Sequence, residues 1–208
     1  WNTEGMPTMA RRPTSATSGV DERLLSEATR LFAKQGFDRT SVQEIVEAAG
    51  VTKGAMYHYF GSKDDLLHEI YGRVLREQTA RLEKFAAGEA PAARRLKDAA
   101  ADVVITTIEN MDDVKIFGQS MHHLSPAKQR AVRAERRRYH EQFRALIEEG
   151  QRDREFRTDV PADLVVDYFF GSVHHLGVWY RRNGKLSPAE VAEHYANLLL
   201  TSLKETAG

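Results

Sequence analysis

Cysteine is absent from the 208 residues, so disulfides and thiolate metal sites are excluded. No apolar run approaches the roughly 18 residues that a membrane span needs, and no membrane partner is expected. An apolar signal core near the N-terminus is missing too, which points to the cytoplasm. Charge of one sign is not in excess: 30 basic and 30 acidic residues give a formal net charge of zero. Proteins that coat nucleic acid regardless of sequence are usually strongly basic. Residues 1–86 are balanced as well, so any nucleic-acid contact there must place its positive charge locally. Signatures of catalysis are lacking: there is no HExxH, no nucleophile elbow and no glycine-rich phosphate loop. The pairs His122–His123 and His174–His175 are adjacent, and neighbours on a helix point apart, so they chelate one ion poorly. Neither an enzyme nor a bound metal or cofactor is expected.

What is present reads as helix throughout. Residues 1–19 are rich in Thr, Ser, Pro and Gly and read as a disordered tail, with Arg11 and Arg12 as solubilising charge or as an arm for a minor groove. From Asp21, the apolar residues Leu24, Leu25, Ala28, Leu31 and Phe32 recur at helical spacing, and Gly36 stops the helix. Ser41 and Glu44 form a capping box for a short second helix that breaks at Gly50. Thr52 caps a third helix of about one to two turns, ending before Gly61. Ser62 and Asp65 open a long fourth helix, broken by Gly88–Pro91. A fifth carries Leu96 to Ile108, and a short sixth carries Val114, Phe117 and Met121. The seventh is opened by Ser125–Pro126 and ends near Gly150. A charged loop leads to an eighth from Pro161 to Asn183–Gly184, and Ser187, Pro188 and Glu190 open the ninth. No segment alternates with period two. The expectation is an all-α fold of nine helices, with residues 20–66 as one domain and 67–208 as a second.

The informative stretch is Thr40–Lys63. Two short helices joined by a tight turn at Gly50 have the shape of a helix-turn-helix, whose second helix presents its N-terminal residues to base edges in the major groove. Thr52, Lys53 and Tyr57 suit base edges or nearby phosphates, and Lys53 can donate to guanine. Thr40, Ser41, Tyr59 and Lys63 suit phosphate oxygens, and His58 suits a phosphate or simple packing. Gly54 and Ala55 leave little bulk, which lets the backbone approach the groove. Without a groove to fill, the same pattern describes a helical bundle with one tight turn.

The run Leu31-Phe32, Gly36-Phe37, Thr40-Ser41-Val42, Ile45, Ala48-Ala49-Gly50-Val51, Lys53-Gly54, Tyr57-His58-Tyr59-Phe60, Ser62-Lys63, Leu66-Leu67 resembles the DNA-binding domain of TetR-family regulators, without gaps across residues 21–67. The resemblance implies an all-α homodimer that binds a palindromic operator on double-stranded DNA. Repression is usually relieved by a small ligand in the C-terminal domain. It also implies that the positions of Thr40, Ser41, Thr52, Lys53, Tyr57, Tyr59 and Lys63 touch DNA.

In the C-terminal part the eighth helix is apolar almost all round, so it must be covered on more than one side. A four-helix interface between two copies would do this, with Leu164, Tyr168, Gly171, His175 and Trp179 from the eighth helix and Val191, Tyr195, Leu198 and Leu199 from the ninth. An extended monomeric core is the rival. Val103, Val104, Ile108, Phe117, Met121, Tyr139, Phe143, Phe169, Val173 and Trp179 are candidate cavity walls, though each reads equally as plain core. The stretch Arg138-Tyr139, Phe143, Glu149-Gly150, Phe156-Arg157, Asp159, then Gly171, Trp179-Tyr180, Gly184, Leu186-Ser187-Pro188, resembles regulators of fatty-acid and steroid catabolism, which implies an acyl-CoA effector. It departs at Arg154, where relatives often have a small residue, and at His174–His175. The seventh helix carries Lys128, Arg130, Arg133, Arg136, Arg137 and Arg138, either a solvated face or a cradle for coenzyme A phosphates, with Arg137 or Arg138 at the mouth. An uncharged drug or metabolite needs no such cradle and is the alternative effector. A DNA-binding protein with no ligand is the remoter one.

Overall fold

The computed structural model describes residues 19–205, so Arg11 and Arg12 lie outside the described residues, as does the side chain of Phe117. Among the described residues every regular element is helical: α1 (Val20–Gln35), α2 (Val42–Ala49), α3 (Lys53–Tyr59), α4 (Lys63–Ala86), α5 (Ala92–Glu109), α6 (Met111–Ser120) with a 3-10 turn (Met121–His123), α7 (Pro126–Arg152), α8 (Ala162–His174), α9 (Leu176–Trp179) and α10 (Pro188–Ser202). The nine-helix pattern is present, with the eighth helix broken into α8 and the single turn α9. At the break the ladder tightens: the His175 N–H donates to the Ser172 carbonyl at 3.2 Å, three residues back. Gly177, a poor helix former, follows at once, and the chain leaves the helix at Tyr180 rather than at Asn183–Gly184.

Local signals set most boundaries. Ser41 and Glu44 make the reciprocal capping box on α2, and Gly50 ends that helix at φ 64°, a left-handed conformation that costs a side chain about 1 kcal/mol or more. The Thr52 hydroxyl accepts from the Ala55 N–H at 3.1 Å to cap α3, and the Ser62 hydroxyl accepts from the Asp65 N–H at 3.0 Å to cap α4. Ser187 and Glu190 form a second box on α10. The start of α5 has no such local cap, and the carboxylate of Glu155 supplies one from the loop after α7, accepting from the N–H groups of Ala92 at 3.1 Å and Ala93 at 2.9 Å. Arg154 sits at φ 60°, a left-handed conformation that costs a residue with a side chain roughly 1–2 kcal/mol.

Two hydrophobic cores result. The larger joins α5, α7, α8 and α10, with Phe143 and Phe169 stacked at 5.2 Å between ring centres. The other fills the N-terminal unit with Leu24, Phe32, Ile45, Met56 and Leu66, and it continues into Ile116, Leu124 and Val132. The α6 region is therefore packed into the N-terminal core. The α4 helix belongs to both cores: Leu66, Leu67 and Ile70 lie in one and Leu82 in the other.

Candidate nucleic-acid interface and cavity

The α3 helix is held from below and bare above. Met56 is fully buried, while Thr52, Lys53, Gly54, Tyr57 and His58 are exposed, Tyr57 to 52%. Ala55 and Tyr59 are half-buried, and the His58 and Tyr59 rings meet edge-on at 5.2 Å. A Cβ added at Gly54 would meet only the Thr52 hydroxyl, at 3.8 Å, so nothing of the chain stands between that backbone and an approaching groove. Ser41 is exposed, but its backbone N–H at 2.7 Å and its hydroxyl at 2.8 Å both donate to Glu44, and these two bonds, the N–H first, hold that carboxyl below the usual carboxylate range.

Two positions expected at phosphates lie deeper than the sequence suggests. Thr40 is 1% exposed, and its hydroxyl donates to the Gly36 carbonyl at 2.8 Å. It ties the turn after α1 rather than facing solvent. The Lys63 ammonium donates to the carbonyls of Phe37 at 2.8 Å and Thr40 at 2.9 Å, and lies 4.1 Å from the centre of the Phe37 ring. Two of its three N–H bonds are thereby used inside the protein. Burial there lowers its pKa. Both residues set the angle between α1, α2 and α4, which in turn sets where α3 stands.

In the second unit a cavity of about 120 Å³ lies between α4, α5, α6, α7 and α8. Of the expected walls it is lined by Val103, Tyr139 and Val173. Val104, Ile108, Phe143 and Phe169 are buried in the core and do not line it, while Met121 packs against the N-terminal core. Trp179 is 44% exposed on the outer surface. The walls missing from the sequence reading include a whole face of α4: Ile70, Tyr71, Val74, Leu75 and Gln78. The helical spacing of the first four is legible in the sequence as part of an apolar face, whereas Gln78 is not part of it; that this face borders a void is not legible.

Apart from Gln78 and the tyrosines, the polar wall groups fall in two sets. Arg136, His140 and His174 come from α7 and α8. The Arg136 guanidinium lies 3.1 and 3.2 Å from the two ring nitrogens of His174, and His140 stacks on Phe170 at 4.1 Å. Burial, then the Arg136 charge, lowers both imidazoles to about 4. Asp113 and Thr107 come from α6 and α5. Asp113 is 7% exposed, and burial raises its carboxyl to about 6. Arg136 and His140 also border an outer groove of about 530 Å³, with Arg133, Arg137, Arg144, Glu141, Asp163 and Asp167 around it. Arg137 is thus at the groove and Arg138 is not. Lys128 is paired with Asp64 and Asp65 at the start of α4.

A third surface is apolar and exposed. Leu164, Tyr168, Val178, Trp179 and Leu198 stand out on α8, α9 and α10, with exposed Gly171 and His175 beside them. Tyr195 is half-buried. Val191 and Leu199, expected in the same surface, are instead each 2% exposed in the chain's own core, because α10 turns that face onto α5.

Two family models match the chain. Residues 24–70 fit bacterial regulatory proteins of the tetR family, and residues 89–203 fit the tetracyclin repressor-like C-terminal domain. The chain belongs to the TetR family. This TetR-family regulator is similar to the HTH-type transcriptional repressor KstR2 of Rhodococcus jostii (strain RHA1), at 28% identity over 91% of this chain and 94% of that one. Its fold matches the crystal structure of the TetR-family regulator PfmR from Thermus thermophilus, with a TM-score of 0.78 and 32% identity, covering 88% of this chain and 100% of that one. It also matches the crystal structure of AibR in complex with isovaleryl coenzyme A and operator DNA, with a TM-score of 0.73 at 20% identity, covering 88% and 97% of the two chains; at that identity the likeness is one of fold. As a TetR-family protein it is a DNA-binding transcriptional regulator, and the helix-turn-helix is α2–α3. Among the described residues no group of acidic and histidine side chains is arranged to hold a metal, and no helix is long and apolar enough to cross a membrane.

Proposed function

We propose that this regulator is a repressor that works in the cytoplasm as a homodimer, grips a palindromic operator with two α3 helices, and releases it when an acyl-coenzyme A thioester binds. The observation that carries the reading is the junction at Arg136 and His140, which border both the apolar cavity and the arginine-lined groove. A cavity of about 120 Å³ has room for roughly ten water-sized groups, enough for an acyl chain and too little for coenzyme A. The groove outside is open and offers Arg133 and Arg137 to phosphates. The names KstR2, a repressor, and AibR, bound to isovaleryl coenzyme A and operator DNA, support the same assignment. Dimerisation through α8 and α10 would cover the exposed apolar stripe and set the α3 helices on one face of DNA, about one helical turn apart. Residues 20–66 form the DNA-binding domain in this reading, and Thr52, Lys53, Tyr57, Tyr59 and Ser41 make its contacts.

Gel shifts with the chain's own operator test the DNA half. Lys53→Ala and Tyr57→Ala are each expected to weaken binding by about tenfold or more, and Lys53→Ala to lower the salt slope by about one if it meets a phosphate. Parent-like affinity in both variants removes α3 from the interface. Octanoyl-coenzyme A, octanoate, free coenzyme A and 1-octanol, added to the complex, test the effector half. Release by the thioester alone is expected; release by 1-octanol alone would make the effector uncharged, which the apolar cavity wall also permits.

A further inference from the structure

The effector cavity has one carboxylate in its wall, which a thioester of a plain acyl chain leaves without use. Asp113 is the carboxylate of a lining whose apolar part includes Ile70, Val74, Leu75, Val103 and Val114 and whose other polar groups include Gln78, Thr107, Arg136, His140 and His174. A carboxyl in such a place is unfavourable unless something bonds it. Among the described residues, the hydrogen bond it receives comes from the Thr29 hydroxyl at 3.4 Å. That is well beyond the 2.5–3.0 Å of a good O–H···O bond. An ionised carboxylate has about four acceptor sites, so most of its capacity is unspent. Arg73, Asp112 and Glu77 contribute charge nearby, and burial outweighs them.

The partner of this weak bond is informative. Thr29 is on α1, in the N-terminal unit, whereas Asp113 is on α6 with its side chain at the cavity. The same stretch of α6 is bound to the N-terminal unit elsewhere: Lys115 donates to the Ala33 carbonyl at 3.1 Å, and the Tyr71 hydroxyl donates to the Ile116 carbonyl at 2.8 Å. A group that replaced Thr29 on Asp113 would act on the contact between α6 and the helix-turn-helix.

We propose that Asp113 is the polar anchor of the cavity: it selects effectors with a hydroxyl or other hydrogen-bond donor on their buried end, and as the carboxylate turns to that donor its already long bond from Thr29 opens. The proposal rests on the reading of this cavity as the effector site. A ligand hydroxyl at ordinary distance makes a charge-assisted bond about twice as strong as a neutral one, and stronger than the long bond it replaces. Against an apolar wall the same hydroxyl would be left unpaired, and binding would be weaker for its presence. The competing role for Asp113 is structural, as an acid in the first turn of α6. That role gives no discrimination between ligands.

The test is calorimetric titration of the full chain with two matched pairs of probes: octanoyl-coenzyme A against 8-hydroxyoctanoyl-coenzyme A, and 1-octanol against 1,8-octanediol. The parent is expected to bind the hydroxylated member of a pair at least about tenfold tighter. In Asp113→Ala the preference should vanish or reverse while the plain probe still binds. Asp113→Asn, which keeps an acceptor oxygen, should retain part of it and serves as the variant if the alanine form does not fold. Equal affinity within each pair in the parent, or an undiminished preference in Asp113→Ala, overturns the proposal and leaves the cavity as an effector site. Binding by the octanol pair alone, with the diol preferred, upholds Asp113 and rejects the thioester. Binding by none of the four removes the cavity reading and this proposal with it.

Discussion

The Asp113 carboxyl carries a thermodynamic signature of its own. Its pKa rises from 3.8 to about 6 on folding, chiefly through burial. Between those values the folded chain keeps a proton that the unfolded chain has lost, so stability falls as pH climbs through that window and levels off above it. Asparagine does not titrate and can still accept from Thr29. Asp113→Asn is therefore expected to be more stable than the parent at pH 8, by something of the order of 3 kcal/mol, and to lose that advantage by about pH 4. Urea unfolding of both proteins at the two pH values checks it. An advantage that is absent at pH 8, or equal at both, contradicts the burial. His140 and His174 act with the opposite sign: depressed to about 4, they favour the folded state above their ordinary 6.5 and withdraw that support as pH falls. Comparing the variant with its parent cancels their contribution. No residue pattern announced Asp113. An acid beside Asp112 in the first turn of α6 looks like ordinary helix chemistry, and only the void beside it gives it another role.

At the level of elements, α10 shows where a sequence is legible and where it stops being so. Its start is local chemistry: the Ser187–Glu190 box involves four consecutive residues, and it can be read as surely as the box on α2. Its rotation about its own axis can be read only coarsely: Glu190, Glu193, His194 and Asn197 mark the outer side, but Val191, Tyr195, Leu198 and Leu199 form a stripe wide enough that the sequence does not say which edge of it is covered by the chain itself. The structure sets it: Leu199 faces α5 at 2% exposure, and Leu198, its neighbour, is 66% exposed. The α8 helix behaves likewise, with Val165 and Phe169 inward and Leu164 and Tyr168 outward. The same limit hid the α4 wall of the cavity, since packing against a neighbour and bordering a void produce one apolar pattern. The two faces respond differently to charge. Leu199→Glu places a carboxylate in the core, costs about 4 kcal/mol or more and is expected to leave little folded protein. Tyr168→Glu or Leu198→Glu should keep the helical circular dichroism, sediment as monomer and bind the operator weakly. A folded dimer from either surface variant would move the partner contact away from α8 and α10.

Across the whole molecule, two elements can carry a change from the cavity to α3. The α4 helix lines the cavity with Ile70 to Gln78 and begins at Lys63, whose ammonium holds the carbonyls of Phe37 and Thr40. The α6 helix lines it with Asp113 and Val114 and sends Ile116 into the N-terminal core. Either route is a coupling free energy, and coupling is reciprocal: an effector that weakens operator binding by about 100-fold must itself bind about 100-fold more weakly to the operator complex. The Thr29 hydroxyl touches neither ligand, so it separates the routes. Thr29→Val removes the bond to Asp113 and keeps the branched shape of the side chain. If α6 is the carrier, the variant should bind operator alone and effector alone within about threefold of the parent, while the mutual factor drops from about 100 to about 10 or below. Fluorescence anisotropy of operator binding with and without saturating probe, closed by calorimetry of the probe with and without operator, measures all four sides. An unchanged factor in Thr29→Val would take the Thr29–Asp113 bond out of the transmission and leave it to the Lys63 bonds at the start of α4 and to the remaining α6 contacts, Lys115 to the Ala33 carbonyl and Ile116 in the N-terminal core.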